Sequence, residues 1–279
     1  MTGDSSRPAW GFEASSVPRV EAIPHFDDVT PEWAWGGSTG KGVKVAVIDS
    51  GIDADHPAVG VVDGYLSVEG SDGAAVSDAR HNDVFGHGTA CAGIIRSLAP
   101  ECELYSVRVL GPNLSGRGAV FARGLKWAIE NGMDVCNLSL GSTRRDFFEP
   151  FHELADIAYF RNIALVTAAN NFPIPSAPSL YASVISVAAH EIHDPFVIYF
   201  NPEPPVEFGA PGIDVRVAWK DGGWITATGN SFAAPHITGL VARIRAKHPG
   251  LATFHLKAVL RSLAANVIRE QLSDLANPA

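Results

Sequence analysis

Short apolar runs that alternate with helical stripes constrain this chain more than any other feature. Residues 43–48, directly after Gly42, form such a run, and others recur at 104–110, 135–140, 163–169 and 184–189. Runs of this length, bounded by turn residues, mark strands buried on both faces. Between them Phe121, Leu125, Ala128 and Ile129 share one helical face, with Gly132 as a C-terminal stop. Leu154, Ala155, Ala158 and Tyr159 repeat the device. Ile237, Leu240, Val241 and Ile244 form a third stripe, and a terminal helix is expected over 254–264. This alternation predicts an α/β fold, a parallel sheet covered by helices on both faces. No internal repeat or second composition regime interrupts it, so a single domain is expected over 42–279. The preceding 1–41 carry four prolines and no sustained periodicity. They read as an arm packed on the domain, with Trp33 and Trp35 as anchors.

Hydrophobic residues at 46% against 18% charged exclude a disordered chain. The 21 Lys and Arg against 30 Asp and Glu give a net charge of −9, which argues against nucleic acid or an anionic membrane surface as a partner. No apolar stretch approaches the roughly 20 residues of a membrane span. The first 16 residues show neither the basic nor the apolar region of a secretory signal. Cys91, Cys102 and Cys136 are an odd set without zinc-ribbon spacing, so a reducing, cytoplasmic setting is expected. A secreted fragment with its signal removed would read the same way.

Three segments carry chemistry. In parallel sheets ligands collect at the carboxyl ends of strands, and the first such end here is Ile48-Asp49-Ser50-Gly51. Asp before Gly is also ordinary turn chemistry. The second segment, Gly86-His87-Gly88-Thr89-Ala90-Cys91-Ala92-Gly93, leaves a histidine sterically open between glycines, although it could merely cap the helix that follows. In the third, Thr228-Gly229-Asn230-Ser231-Phe232-Ala233-Ala234-Pro235-His236, a tight turn would expose Ser231 at the start of a helix, and the bland alternative is an N-cap serine. Together they give the chain order Asp, His, Ser, which is that of subtilisin.

From about Thr39 to Leu263 the chain resembles the subtilisin-like serine proteases, the subtilases. The likeness rests on Val-Ile-Asp49-Ser-Gly-Ile-Asp, the His-Gly-Thr at His87, Asn137-Leu-Ser-Leu-Gly141, the Ala-Pro-Gly at Pro211, and Asn-Ser-Phe-Ala-Ala-Pro-His around Ser231. It implies a subtilisin-like three-layer α/β/α sandwich with a mainly parallel sheet. It also implies a serine endopeptidase using Asp49, His87 and Ser231 through an acyl-enzyme. The family's oxyanion asparagine follows a strand, which here ends Thr167-Ala168-Ala169-Asn170-Asn171. Two adjacent asparagines leave the donor open between them, and distance from the strand favours Asn171. Asn170 would then reach into the pocket wall, or serve as a turn residue in place of glycine.

Substrate is expected as an extended strand between Leu114, Ser115, Gly116 and Arg117 on one side and Ser139, Leu140 and Gly141 on the other. Arg144 and Arg145 lie just beyond, and the three prolines of 172–178 suggest a stiff pocket floor. No cofactor is expected. The tight calcium site of many secreted subtilases should be absent, because Ala58 follows His56-Pro57 and the helix after His87 passes through Arg96 and Ala99-Pro100 straight to a strand. Asn230, Phe232 and Ala90 depart from the family's usual Thr, Met and His. Residues Ile23-Pro24-His25 resemble the short extensions of intracellular subtilisins that lie across the active site. Two roles stay open within the protease reading, general proteolysis and dedicated processing of a peptide or precursor. A catalytically silent peptide-binding module is the alternative outside it.

Overall fold

A computed structural model describes residues 28–70 and 73–268. The elements run α1 (Pro31–Trp35), β1 (Lys44–Asp49), β2 (Gly64–Glu69), β3 (Ala75–Ser77), α2 (His87–Leu98), β4 (Glu103–Arg108), α3 (Gly118–Glu130) and β5 (Val135–Leu138). They continue with α4 (Phe148–Phe160), β6 (Ala164–Ala168), β7 (Ile185–His190), β8 (Tyr199–Phe200), β9 (Phe208–Pro211), β10 (Val215–Trp219), β11 (Gly223–Ala227), α5 (Asn230–Lys247) and α6 (Thr253–Leu263).

The main sheet has the order β3-β2-β4-β1-β5-β6-β7-β9-β8, parallel except for β3 and β8 at its two edges. Strand β1 lies between β4 and β5, with Asp49 opposite Arg108 and Val47 opposite Asn137. The chain reverses its direction of winding there, so the carboxyl end of β1 opens onto a crevice. Along β1, Val45 and Val47 face one core with α2, α5 and α6, whereas Ala46 and Ile48 face the other with α3 and α4. Both faces are covered by buried apolar side chains, and the result is a three-layer α/β/α sandwich with a mainly parallel sheet.

The expected helical faces pack as read: Phe121, Leu125, Ala128 and Ile129 are buried on α3, and Ile237, Leu240, Val241 and Ile244 on α5. On α4 only Ala155 and Ala158 of the expected stripe are fully covered, while Phe151 supplies the large buried ring. Strand β5 stops at Leu138, so Ser139–Gly141 leave the sheet and become available to a ligand. Strand β4 likewise stops at Arg108, and the N–H groups of Val109 and Leu110 turn to the Asp49 carbonyl, at 2.8 and 3.1 Å.

Part of the arm is built as a helix. Thr30 caps α1 by accepting from the Trp33 N–H, and Pro31 opens it. Trp35 is buried, Trp33 stacks on His248 at 4.2 Å, and Arg243 donates to the Trp35 carbonyl. Ile23-Pro24-His25 lie outside the described residues. The antiparallel pair β10–β11 packs Val215 and Val217 against Ala90 and Ile94 of α2 and Phe232 of α5.

Candidate active site

Asp49 closes β1 fully buried, and His87 opens α2 with 4% of its surface exposed. The His87 Nδ1 lies 2.9 Å from both Asp49 carboxylate oxygens, so Nδ1 carries the proton and Nε2 is left to face the crevice. The flanking glycines make this approach possible. A Cβ on Gly88 would lie 2.0 Å from the Gly51 carbonyl, and one on Gly86, at φ +123, would lie 2.3 Å from the Trp219 ring. Burial alone would push the imidazole pKa down. The adjacent Asp49 charge, with its hydrogen bond, reverses this and lifts it well above the ordinary histidine value.

A residue that sequence reading missed anchors this half of the site. The buried Asp83 carboxylate accepts from Ser50 Oγ (2.8 Å), Phe85 N–H (2.9 Å) and Gly86 N–H (2.7 Å) through one oxygen. Through the other it accepts from the Thr89 N–H (2.8 Å) and hydroxyl (2.7 Å). An acid at a helix N-terminus satisfies N–H groups that have no partner within the helix and meets the positive end of its dipole. The signal available in the sequence was an Asp three residues before the glycine that precedes α2.

Ser231 lies in the first turn of α5. Its carbonyl accepts from Ser139 Oγ at 2.8 Å, and that oxygen in turn accepts from Asn137 Nδ2 at 3.0 Å. Thr238 Oγ1 donates to Asn137 Oδ1 at 2.9 Å, which closes a chain between β5 and α5. The Cys91 sulfur sits beneath, 3.6 Å from the Ser231 carbonyl and 4.0 Å from Asp49 Oδ2, and burial raises the pKa of its thiol. The Phe232 ring lies 5.2 Å from the His87 ring. These contacts bring Asp49, His87 and Ser231 to one place. Among the described residues no hydrogen bond joins Ser231 Oγ to the imidazole; such bonds often tighten only when substrate is bound.

Asn171 is exposed, and its Oδ1 accepts from the Asn230 N–H at 2.9 Å, which turns its Nδ2 donor away from that bond. A point one Cβ away from Gly229 is 3.3 Å from Ser231 Oγ and 3.6 Å from Asn171 Nδ2, so the two groups border the same small space. Asn170 behaves differently. Its Oδ1 accepts from the Phe172 N–H at 3.0 Å, a turn contact, and it is not among the residues lining the groove described next.

Leu114, Ser115, Gly116, Ser139, Leu140 and Gly141 all line one groove of about 590 Å³. Arg117 and Arg144 stand at its edge, where Arg144 is paired with Asp146 at 3.0 Å. Ser142 and Ala177 exchange backbone hydrogen bonds, joining the second wall to the proline loop. In that loop Ser176 and Ala177 are buried, while Phe172 and Ile174 face solvent.

A family model described as the subtilase family matches residues 40–276. Subtilisin Savinase from Lederbergia lenta is 32% identical over 242 residues, 83% of this chain and 86% of that protein. The minor extracellular protease Epr of Bacillus subtilis (strain 168) is 31% identical over 251 residues, 85% of this chain but 37% of that longer protein. Among solved structures, that of a cold adapted subtilisin-like serine proteinase superposes with a TM-score of 0.67 at 26% identity, covering 82% of this chain and 86% of the other. Fold, site geometry and these likenesses agree: the chain belongs to the subtilase family and is a subtilisin-like serine endopeptidase.

Proposed function

We propose that this endopeptidase cuts peptide bonds with Ser231 as nucleophile, His87 as general base and acid, and Asp49 as the group that orients and stabilises the imidazolium. The observation that carries the reading is the buried His87–Asp49 pair, 2.9 Å from Nδ1 to either oxygen, beside the helix start that bears Ser231. Ser231 Oγ attacks the carbonyl carbon while His87 Nε2 takes its proton. The resulting oxyanion is held by the Ser231 N–H, which has no partner within the helix, and by Asn171 Nδ2. Collapse expels the amine with the proton from His87, and water repeats the cycle to release the acid. The peptide lies extended between 114–116 and 139–141, adding a strand to those walls.

No helix among the described residues is long and apolar enough to cross a membrane. The three cysteines are free and buried, which supports a reducing, cytoplasmic working environment. The reading includes no tight calcium site. The carbonyls of Val59, Val61, Pro100 and Cys102 are bonded instead to the Arg96 guanidinium, at 3.0, 2.7, 2.9 and 2.6 Å. A fixed organic cation at the end of α2 thus takes up oxygens of the kind a hard metal ion seeks.

Within the activity, dedicated processing is favoured over general digestion because the proline loop ties the groove wall at Ser142 and limits how far the pocket can adapt. Peptide-library cleavage read by mass spectrometry, beside a Ser231→Ala control, tests both levels. The control is expected to lose about 10⁴–10⁶ of turnover. Wild-type cutting confined to one motif supports processing, indiscriminate cutting of casein supports general digestion, and undiminished cutting by the control removes Ser231 as nucleophile.

A further inference from the structure

The residue before the nucleophile has bonding of its own. Strands β6 and β7 pair up to the bond from the Ala169 N–H to the Val187 carbonyl, at 2.8 Å. Beyond it the chain of β6 turns away through Asn170 and Asn171, and the ladder would leave the Ala189 N–H without an acceptor on that side. The Asn230 carboxamide fills the gap. Its Oδ1 accepts from the Ala189 N–H at 2.8 Å, and its Nδ2 donates to the carbonyls of Ala169 and Asn170, at 3.2 and 3.1 Å. Its backbone N–H donates to Asn171 Oδ1 at 2.9 Å. One half-buried side chain therefore does what a further peptide of the sheet would do, offering an acceptor to one strand and donors to the other.

We infer that Asn230 is a positioning residue: its side chain splints the end of β6, and so holds Asn171 where the backbone N–H of residue 230 can turn the carboxamide NH₂ toward Ser231. The inference rests on Asn171 being the oxyanion donor. Only a carboxamide has both the acceptor and the paired donors this place uses. A threonine hydroxyl has one proton to give, and a carboxylate has none. Aspartate would keep the bond from Ala189 but set negative oxygen against two carbonyls, displacing the strand end that carries the donor. A displacement on the order of 1 Å costs up to about 10²-fold in rate without altering the substrate groove.

The test uses the full chain, a chromogenic tetrapeptide p-nitroanilide, and rates normalised by active-site titration. Asn230→Asp is expected to lower kcat by about 10- to 10²-fold with KM within about twofold. Asn171→Ala is expected to lower kcat by about 10²–10³-fold, a magnitude whose precedent is subtilisin itself. The double variant should fall no lower than Asn171→Ala alone, because placement of a donor that is gone has no value. A kcat for Asn230→Asp within twofold of wild type, or losses that multiply in the double variant, would overturn the inference. An unchanged kcat in Asn171→Ala would instead remove the oxyanion reading beneath it, and this inference with it. Should Asn230→Asp not fold, Asn230→Ala, which removes all three side-chain bonds, carries the same cycle.

Discussion

Helices α2 and α5 pack side by side on one face of the sheet, and each opens on a residue of the site, yet the two openings are anchored in different ways. At α2 a buried acidic side chain, Asp83, gathers five hydrogen bonds around the turn that presents His87. At α5 the anchors are neutral: the Asn230 carboxamide, and Ser139 on the Ser231 carbonyl. The contrast follows from what each group must do. An imidazole that passes a proton in two directions has to keep its ring fixed while its charge changes, and the hydrogen bonds to Asp83 hold the backbone of the turn that carries it. The anchors on the serine side bind backbone groups of neighbouring strands and of Ser231 itself.

Asp49→Asn breaks the α2 side most severely. It is expected to lower kcat by about 10⁴-fold, because Nδ1 loses the acceptor that selects its tautomer. The pH profile sharpens the point. His87 acts as a base only when neutral, and Asp49 raises its pKa. The acid limb of kcat/KM for the wild type should therefore lie above the ordinary histidine value and move to lower pH in Asp49→Asn. A limb that stays in place would mean that Asp49 does not set the charge of the ring.

Asp83→Ala comes next. It strands buried donors and removes the charge at the α2 N-terminus, and should destabilise by about 3 kcal/mol in chemical denaturation. Its signature is lost stability, whereas Asn230→Asp should lose kcat; the two outcomes exchanged would invert the contrast between the helices. The smallest effect is at the other end of α2. Arg96→Leu releases four carbonyls and should cost about 2 kcal/mol, read as a lower Tm, while a chelator leaves the wild-type Tm unchanged. An Arg96→Leu variant with an unchanged Tm would show that Arg96 does not secure this end.

What was legible in the sequence follows from how local each signal is. The buried parallel strands and the faces of α3 and α5 write themselves as uninterrupted apolar patterns, so they can be read without knowing their neighbours. Asp49, His87 and Ser231 stand at element ends inside short glycine-flanked motifs. The edge strands β3 and β8 are three and two residues long, and β10–β11 mix buried with exposed positions, so they leave no such pattern. Asp83 and Arg96 were hidden for another reason. Their partners are mostly backbone groups, which have no letter in a sequence. The wall residues 114–116 and 139–141 were readable through resemblance, whereas the turn contact of Asn170 depends on the course of the chain after β6.

Covalent labelling tests the central claim most directly. A fluorophosphonate reacts with a serine only when a neighbouring base removes its proton, so wild-type protein and His87→Ala should be treated in parallel and mapped by mass spectrometry. A single adduct on Ser231 in the wild type, with labelling of the variant slower by orders of magnitude, is the predicted result. An adduct on another residue, no adduct on folded wild type, or equal labelling of Ser231 without the imidazole would contradict it.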